Sequence, residues 1–495
     1  MNICLVTVHA SAAFIPLALL YLNACLEARF GDAVHVTVLE FPPEATEDDV
    51  VRAVVAANPV VIGMSCYVWN IRVLMAAARH VKAIMPGVRV VLGGPEVGPV
   101  AESVMDAQPY LDVIVNSEGE GPFCDLIERW AAEKPVCDVR GICYRDGAAI
   151  VQAEPAQILM DLDEIPSPHL GGLVTGGKDR IVCIETQRGC VFRCNFCFYN
   201  KDLSIRNRRF GLERVKAEIL YWLQRDVMEI FLMDPVFNLN AERTKEICRF
   251  IARHNHRGTA FHAEVWAEFI DEESARLFRD ANVTFLEVGL QTTDEAALAT
   301  VERRLRLNRF LDGIRHLKTS GIPFELQLIY GLPGETRTSF RRSLQFAASL
   351  EPPDLVVFPL MVLPGTELWR KARGLHLTFD PDPPYYLQSH MTMDREDIAY
   401  GREVAAAVEL VYGPRSLRVL AREARMTIGD MVDHWIEWHR SRPKGSDGDA
   451  RQGMLAFIDH VCHARGVPSD FYKTFAAREF VVPEHPDGLP AAAHG

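Results

Sequence analysis

Residues 185–200 read ETQRGCVFRCNFCFYN and set Cys190, Cys194 and Cys197 within eight positions. Cysteine thiolates are soft donors that take zinc, copper or the irons of an iron–sulfur cluster. Gaps of three residues and then two let one loop wrap three corners of a cubane. A cluster held by three thiolates keeps one iron without a protein ligand, as catalytic metal sites keep an open position. Two other readings stand beside this one. Structural zinc takes four Cys or His ligands in paired spacing, and no second C-x2-C is present. The alternative is three free thiols packed as small hydrophobes.

The chain has 495 residues and 12 cysteines. The nine outside the loop (Cys4, Cys25, Cys66, Cys124, Cys137, Cys143, Cys183, Cys248, Cys462) are scattered. That pattern suits reduced thiols in a cytoplasm better than a disulfide framework. Apolar residues at 48% and charged residues at 24% are the balance of an ordinary globular protein. A net charge of −13 lacks the basic footprint of nucleic-acid binding, so no nucleic-acid partner is expected. MNICLVTVHA lacks a secretory n-region, and no apolar run reaches about 18 residues, so no membrane partner is expected either.

The elements that must carry the cysteines follow from periodicity. Residues 1–135 alternate β-rich runs (2–8, 35–41, 60–68, 89–94, 112–119) with amphipathic helical patterns, and Thr46 with Asp49 forms a capping-box signature. Five βα units imply a doubly wound parallel sheet, which binds ligands outside the carboxyl ends of its strands. The residues just past those ends are His9, Ser65, the turn Gly93-Gly94-Pro95-Glu96, and the loop carrying Glu118 and Gly119. No GxGxxG follows the first strand, which argues against a dinucleotide. Residues 136–178 read as a Pro- and Gly-punctuated linker with short strand-like pieces.

A second series spans 179–375, with strand-like runs at 180–187, 229–237, 260–268, 285–292, 323–333 and 354–362. Six units predict a partial (β/α)6 barrel whose active residues sit at the C-terminal ends of the strands. The cysteine loop follows the first of them. Residues 376–495 read as a mainly helical region expected over the barrel mouth, with Tyr385, Tyr386 and His390 as candidate pocket walls. Within it, 443–452 reads as an exposed loop and 483–495 as a frayed tail.

Cys190-Val-Phe-Arg-Cys194-Asn-Phe196-Cys197 resembles the C-x3-C-x-aromatic-C signature of the radical S-adenosylmethionine (SAM) superfamily, with Phe196 in the aromatic place. The resemblance implies a 4Fe–4S cluster whose open iron chelates SAM and cleaves it reductively to a 5′-deoxyadenosyl radical. It makes Asp234 a candidate near the SAM amino group, Glu287 and Gln291 candidates at its ribose or carboxylate, and Gly331 and Gly334 candidates near the adenine. VIGMSCYVW, VVLGGPEV and IVNSEGEGPF in the first domain resemble the cobalamin-binding radical SAM group. That extends the resemblance over about 1–370 and implies a Rossmann-like cobalamin-binding domain. His9, Ser65, Tyr67, Gly93, Gly94, Pro95, Glu96, Glu118 and Gly119 are its candidate contacts, with Trp69 as further aromatic lining. SCYVWN, GGPEV, DPVFNLN and FDPDPPYY resemble a subgroup that shares a C-terminal extension.

The group's D-x-H-x-x-G motif for ligating cobalt is absent, since His9 has neither Asp nor Gly in place. The family then implies a methyltransferase acting on an unactivated carbon of a small molecule through methylcobalamin and the deoxyadenosyl radical. An external donor such as flavodoxin or ferredoxin would supply electrons. The same cofactors would also serve a rearrangement, cyclisation or oxidation without methyl transfer. A methylthiotransferase is disfavoured, because Cys4, Cys25 and Cys66 do not form a second cluster motif. A non-enzymatic carrier would leave the polar residues at the strand ends without a role.

Overall fold

The computed structural model describes residues 1–174, 179–200, 207–442 and 450–479. The tail expected at 483–495 and residues 443–449 of the expected loop lie outside these; 450–452 open a helix, Ala450–Arg465.

The first sheet contains β1 (Asn2–Val8), β2 (His35–Phe41), β3 (Val61–Ser65), β4 (Arg89–Gly93) and β5 (Val113–Val115), in the order β2-β1-β3-β4-β5 and all parallel. β1 and β3 read as near-continuous apolar runs because helices cover both faces of a parallel sheet. Their buried side chains fill separate cores on the two faces. The Thr46 hydroxyl accepts from Asp49 N and caps helix Glu47–Ala57, as its sequence predicts.

The segment 136–178 departs from the expected linker. Residues 142–152 form β6 (Ile142–Asp146) and β7 (Ala149–Gln152), an antiparallel hairpin turned at Gly147 (φ +59°) and paired to β5. The sheet therefore has seven strands. The physical reason is the edge of β5, whose unpaired backbone groups the hairpin satisfies.

The second unit begins with β8 (Ile181–Ile184). The antiparallel pair β9 (Gln187–Arg188) and β10 (Arg208–Arg209) then closes the base of the cysteine loop. β11 (Glu229–Leu232), β12 (Ala260–Val265), β13 (Val283–Gln291), β14 (Phe324–Tyr330) and β15 (Asp354–Pro359) follow. The six long strands run parallel in the order β15-β14-β13-β12-β11-β8, the predicted partial barrel. Ile181 N donates to Ala13 O at 2.7 Å, so the segment after β1 covers the free edge at β8.

The C-terminal region is helical over Arg395–Tyr412, Arg415–Glu423, Ile428–Ser441, Ala450–Arg465 and Asp470–Glu479. These helices share the barrel's own core, through Val404, Ala407, Val408 and Val411 among others. Gly401 lies on the Tyr330 ring, where a Cβ would come within 2.5 Å. The first of these helices packs against β15 and, through Ile398 and Gly401, against the C-terminal end of β14 at Gly331 and Tyr330, so it borders the barrel mouth on one side. The segment before them, around β16 (Thr378–Phe379) and β17 (Leu387–Ser389), reaches the first domain instead. Arg72 Nη2 donates to Pro383 O at 2.6 Å, and the Tyr385 hydroxyl donates to Glu96.

Candidate active site between barrel and first sheet

The cysteine loop is fixed from both ends. At its start, Asp234 Oδ1 accepts from Thr186 N (2.7 Å) and Gln187 N (3.0 Å), and Oδ2 accepts from the Thr186 hydroxyl (2.5 Å). Gln187 Nε2 donates to Val236 O at 2.7 Å. Within the loop, Asn195 N and Nδ2 donate to Val301 O and Thr300 O, and Asn195 O accepts from Leu368 N at 2.8 Å. Cys194 is buried; Cys190 and Cys197 are partly exposed. Phe196 packs against the barrel core, and Phe192 stacks on Trp266 at 3.7 Å.

The loop suits a cluster better than a single ion. Three thiolates on one tetrahedral zinc sit about 3.8 Å apart, given bonds of about 2.3 Å. Among the described residues, the one group of three such ligand atoms within 4.8 Å of one another is Glu47, Asp48 and His80; the cysteine sulfurs are spread wider. An Arg303 guanidinium stands beside them: Nη1 donates to Cys194 Sγ at 3.6 Å, Nη2 donates to Gly289 O, and the group lies 4.2 Å over the Trp266 ring. Next to it, Gln291 ends β13 with φ +70° after a bulge, and its Oε1 is buried without a partner. Strain and an orphaned acceptor at a strand end mark a ligand position. A Cβ on Gly289 would come within 2.5 Å of the Gln291 amide, so a larger residue there would displace that side chain. Gly331 (φ +87°) turns against Leu387 and Ile398, its N–H held by Glu335, whose carboxyl burial pushes up to about 8.

Other predicted residues have different partners. The Asp234 carboxylate, expected at the SAM amino group, has no exposed surface and serves the strand-end clamp described above. Glu287 lies mid-strand, 2.8 Å from His262 Nε2 and accepting from Gln327 at 2.9 Å, inside the barrel. Burial disfavours charge on His262, but Glu229 and Glu287 outweigh it and raise its pKa to about 9.

On the first sheet, Asn70 joins two strand ends by donating to Val8 O (3.0 Å) and Ser65 O (3.1 Å). Beside it Tyr67 stacks on Trp69 at 4.4 Å, and Trp69 is partly exposed. Gly93 and Gly94 form a turn whose tightness has a local cause: at Gly94 (φ +104°) a Cβ would stand 2.5 Å from Cys66 O. Pro95 continues the turn, and Ser65 ends β3; both stay partly exposed at this edge.

Three expected cobalamin contacts turn elsewhere. His9 Nε2 pairs with Glu40 at 3.0 Å, and Arg180 reaches the same carboxylate at 2.6 Å. Burial favours the neutral Glu40 acid, yet these two partners hold its pKa at about 2. Glu96 is buried against Tyr385, and its carboxyl is pushed up to about 7 by burial. Glu118 pairs with Arg208, whose Nη1 is 3.0 Å away, while Gly119 starts helix Glu120–Ala131 against Leu22. In each case the acid finds a base or hydroxyl far along the chain, which strand-end position alone does not reveal. Sequence reasoning missed Arg303, Glu335 and the arginines flanking the loop. The only available signal was the arginine two residues before Cys190.

The carboxyl ends of both sheets meet here. Tyr199 of the cysteine loop lies within electrostatic reach of Glu264 and Glu185 at barrel strand ends and of Tyr67 on the first sheet. A thiol-rich barrel mouth thus opposes an aromatic, glycine-turned sheet edge. Residues 184–347 match the radical SAM superfamily, and residues 3–127 match the B12 binding domain. The two matches set a B12-binding domain ahead of a radical SAM domain in one chain. Its cofactors are a 4Fe–4S cluster, SAM and cobalamin.

The chain is 33% identical over 334 residues to the 2-(S-pantetheinyl)-carbapenam-3-carboxylate methyltransferase of Streptantibioticus cattleyicolor, covering 63% of this chain and 48% of that protein. It is 32% identical, with the same coverage, to the cobalamin-dependent radical SAM methyltransferase TokK of Streptomyces tokunonensis. The chain therefore spans about half the length of these relatives. The structure of the radical SAM methyltransferase TsrM from Kitasatospora setae, with cobalamin and a 4Fe–4S cluster bound, matches at a TM-score of 0.65. That match has 16% identity and covers 97% of this chain and 98% of that one, a likeness of fold. No helix among the described residues is long and apolar enough to cross a membrane.

Proposed function

We propose that this chain is a cobalamin-dependent radical SAM methyltransferase acting on an unactivated carbon of a small molecule in the cytoplasm. The observation that carries the reading is the opposition of the cysteine loop to the exposed Tyr67–Trp69 edge of the B12-binding domain. When bound, the cofactors supply reductive SAM cleavage and methyl transfer. In net terms substrate C–H, two SAM and two electrons give methylated product, 5′-deoxyadenosine, methionine and S-adenosylhomocysteine. The electrons call for an external donor of the flavodoxin or ferredoxin type.

In this reading Cys190, Cys194 and Cys197 hold the cluster. Arg303 donates to a cluster thiol and suits the SAM carboxylate, since a guanidinium matches that group in two parallel bonds. Gln291 Oε1 accepts from a ribose hydroxyl, which satisfies its buried lone pairs. The Gly331 turn and Phe196 shape the remainder of the SAM pocket. Ser65, Tyr67, Gly93, Gly94 and Pro95 line the corrinoid side, and the His262–Glu287–Gln327 network closes the barrel interior beneath the substrate. The test is anaerobic incubation of reconstituted protein with SAM and a reductant, counting products by mass spectrometry. Formation of both S-adenosylhomocysteine and 5′-deoxyadenosine supports methyl transfer. 5′-Deoxyadenosine alone points to a rearrangement or oxidation, and neither product refutes the enzyme.

A further inference from the structure

The base of the cysteine loop carries an arrangement that local folding alone disfavours. In the antiparallel pair β9–β10, Arg188 stands directly opposite Arg208. Like charges in that register repel, and these two are shielded from water: the side chains are 12% and 3% exposed. Their compensation comes largely from the other domain. Glu118 receives both terminal nitrogens of Arg208, with Nη1 at 3.0 Å, and lies 3.6 Å from Arg188 Nη1. Glu120 takes Arg188 Nη2 at 2.7 Å, while Glu185 at the end of the first barrel strand takes its Nε at 2.9 Å. Arg188 also lies 5.2 Å from the Tyr21 ring centroid of the first domain and 5.9 Å from that of Phe210, and these two rings stack on each other.

Glu118 and Glu120 follow β5, at the sheet edge where a doubly wound domain holds its ligand. Arg188 and Arg208 bracket the loop that carries Cys190, Cys194 and Cys197. The same four side chains therefore touch the frame of both cofactor sites. We infer that Arg188, Arg208, Glu118 and Glu120 are positioning residues that set the distance and orientation between the cluster and the corrinoid. The base of the loop is held against the first domain's acidic turn. This rests on the cofactor assignment above, though not on methyl transfer being the reaction.

A simple interdomain tie would affect stability and nothing else, so the test reads geometry. Wild type, Glu118→Gln and Arg208→Gln are reconstituted with cluster and cobalamin. The distance distribution between the reduced cluster and cob(II)alamin is then measured by pulsed EPR. SAM and reductant alone give two further readouts, the single-turnover rate of S-adenosylhomocysteine formation and the rate of abortive 5′-deoxyadenosine formation. A narrow wild-type distribution should broaden in both variants. Because a misplacement of about 1 Å can cost ~100-fold in rate, S-adenosylhomocysteine formation should fall about tenfold or more, with 5′-deoxyadenosine changed less than about twofold. Should either variant lose its cofactors, Glu118→Asp keeps the charge on a shorter arm and decides in the same way. A wild-type distribution and wild-type rates in the variants overturn the inference. Absence of S-adenosylhomocysteine in wild type would instead strike the methyltransferase reading and leave the distance measurement standing.

Discussion

Replacing Asp234 separates a structural carboxylate from a SAM ligand. Asp234 is fully buried, and its two oxygens take three donors: the backbone N–H groups of Thr186 and Gln187 and the Thr186 hydroxyl. Asp234→Ala strands all three at about 1–3 kcal/mol each. Water entering the space left behind trims the total, so the expected loss is about 3–5 kcal/mol, more than a hundredfold in the opened population of the clamp. Asp234→Asn behaves differently. Its amide oxygen can accept from both backbone donors, and the Thr186 hydroxyl can turn to accept from the new NH2. Burial pushes the Asp234 carboxyl up to about 6, so a neutral group gives up little on that account. We expect about 1 kcal/mol or less for Asn. Denaturant unfolding of the apoprotein gives the stability. Iron retained after desalting the reconstituted protein reads the loop, which should release its cluster faster in the Ala variant alone. SAM affinity should stay at the wild-type value in Asp234→Asn. An Ala variant as stable and iron-loaded as wild type, or an Asn variant that no longer binds SAM, would refute the clamp.

Other outcomes follow from the same geometry. Glu96 has a raised folded pKa, about 7 against 4.5, so its contribution is complete below about pH 4.5 and is lost as pH rises toward 7. Glu96→Gln, which keeps an acceptor for Tyr385, should match wild type near pH 5 and exceed it by up to about 3 kcal/mol at pH 8, read as Tm against pH. His262→Phe leaves Glu287 buried without its base and should cost about 3–5 kcal/mol in chemical denaturation. The His262 contribution in wild type is present below its unfolded value of 6.5 and fades as pH rises through about 9. Gly94→Ala forces a Cβ toward Cys66 O at positive φ and should cost about 1–3 kcal/mol in backbone strain, with weakened cobalamin retention on gel filtration. Cys190→Ala, Cys194→Ala and Cys197→Ala should each lose the iron absorbance while still retaining cobalamin.

Much of the architecture is visible in the residues themselves. The runs NICLVTV and HVTVLEF coincide with β1 and β2: the central strand β1, buried on both faces, shows as nearly uninterrupted apolar sequence, while the half-buried edge strand β2 alternates apolar and polar residues. The predicted strands overrun mainly at their C-terminal ends, as at 229–237 against Glu229–Leu232, because the apolar pattern continues into the turns that build the site. The β6–β7 hairpin was legible as two short alternating pieces, but the β5 edge that recruits it lies 27 residues upstream of its first strand. Partners separated along the chain account for the rest. His9 pairs with Glu40 31 positions on, Asp234 with Thr186 across 48, and Glu118 with Arg208 across 90. A strand-end carboxylate looks the same in sequence whether it faces a cofactor or a buried arginine. Only the tertiary contact assigns it.

The central claim is that one chain holds an iron–sulfur cluster in the loop after β8 opposite a corrinoid on the first sheet. The most direct measurement is a crystal structure of the anaerobically reconstituted protein with anomalous maps at the iron and cobalt edges. The account predicts an iron peak among Cys190, Cys194 and Cys197, and a cobalt peak beside Tyr67, Trp69 and the Gly93–Gly94 turn, facing it across the cleft. Iron elsewhere, or cobalt bound away from that sheet edge, would contradict it.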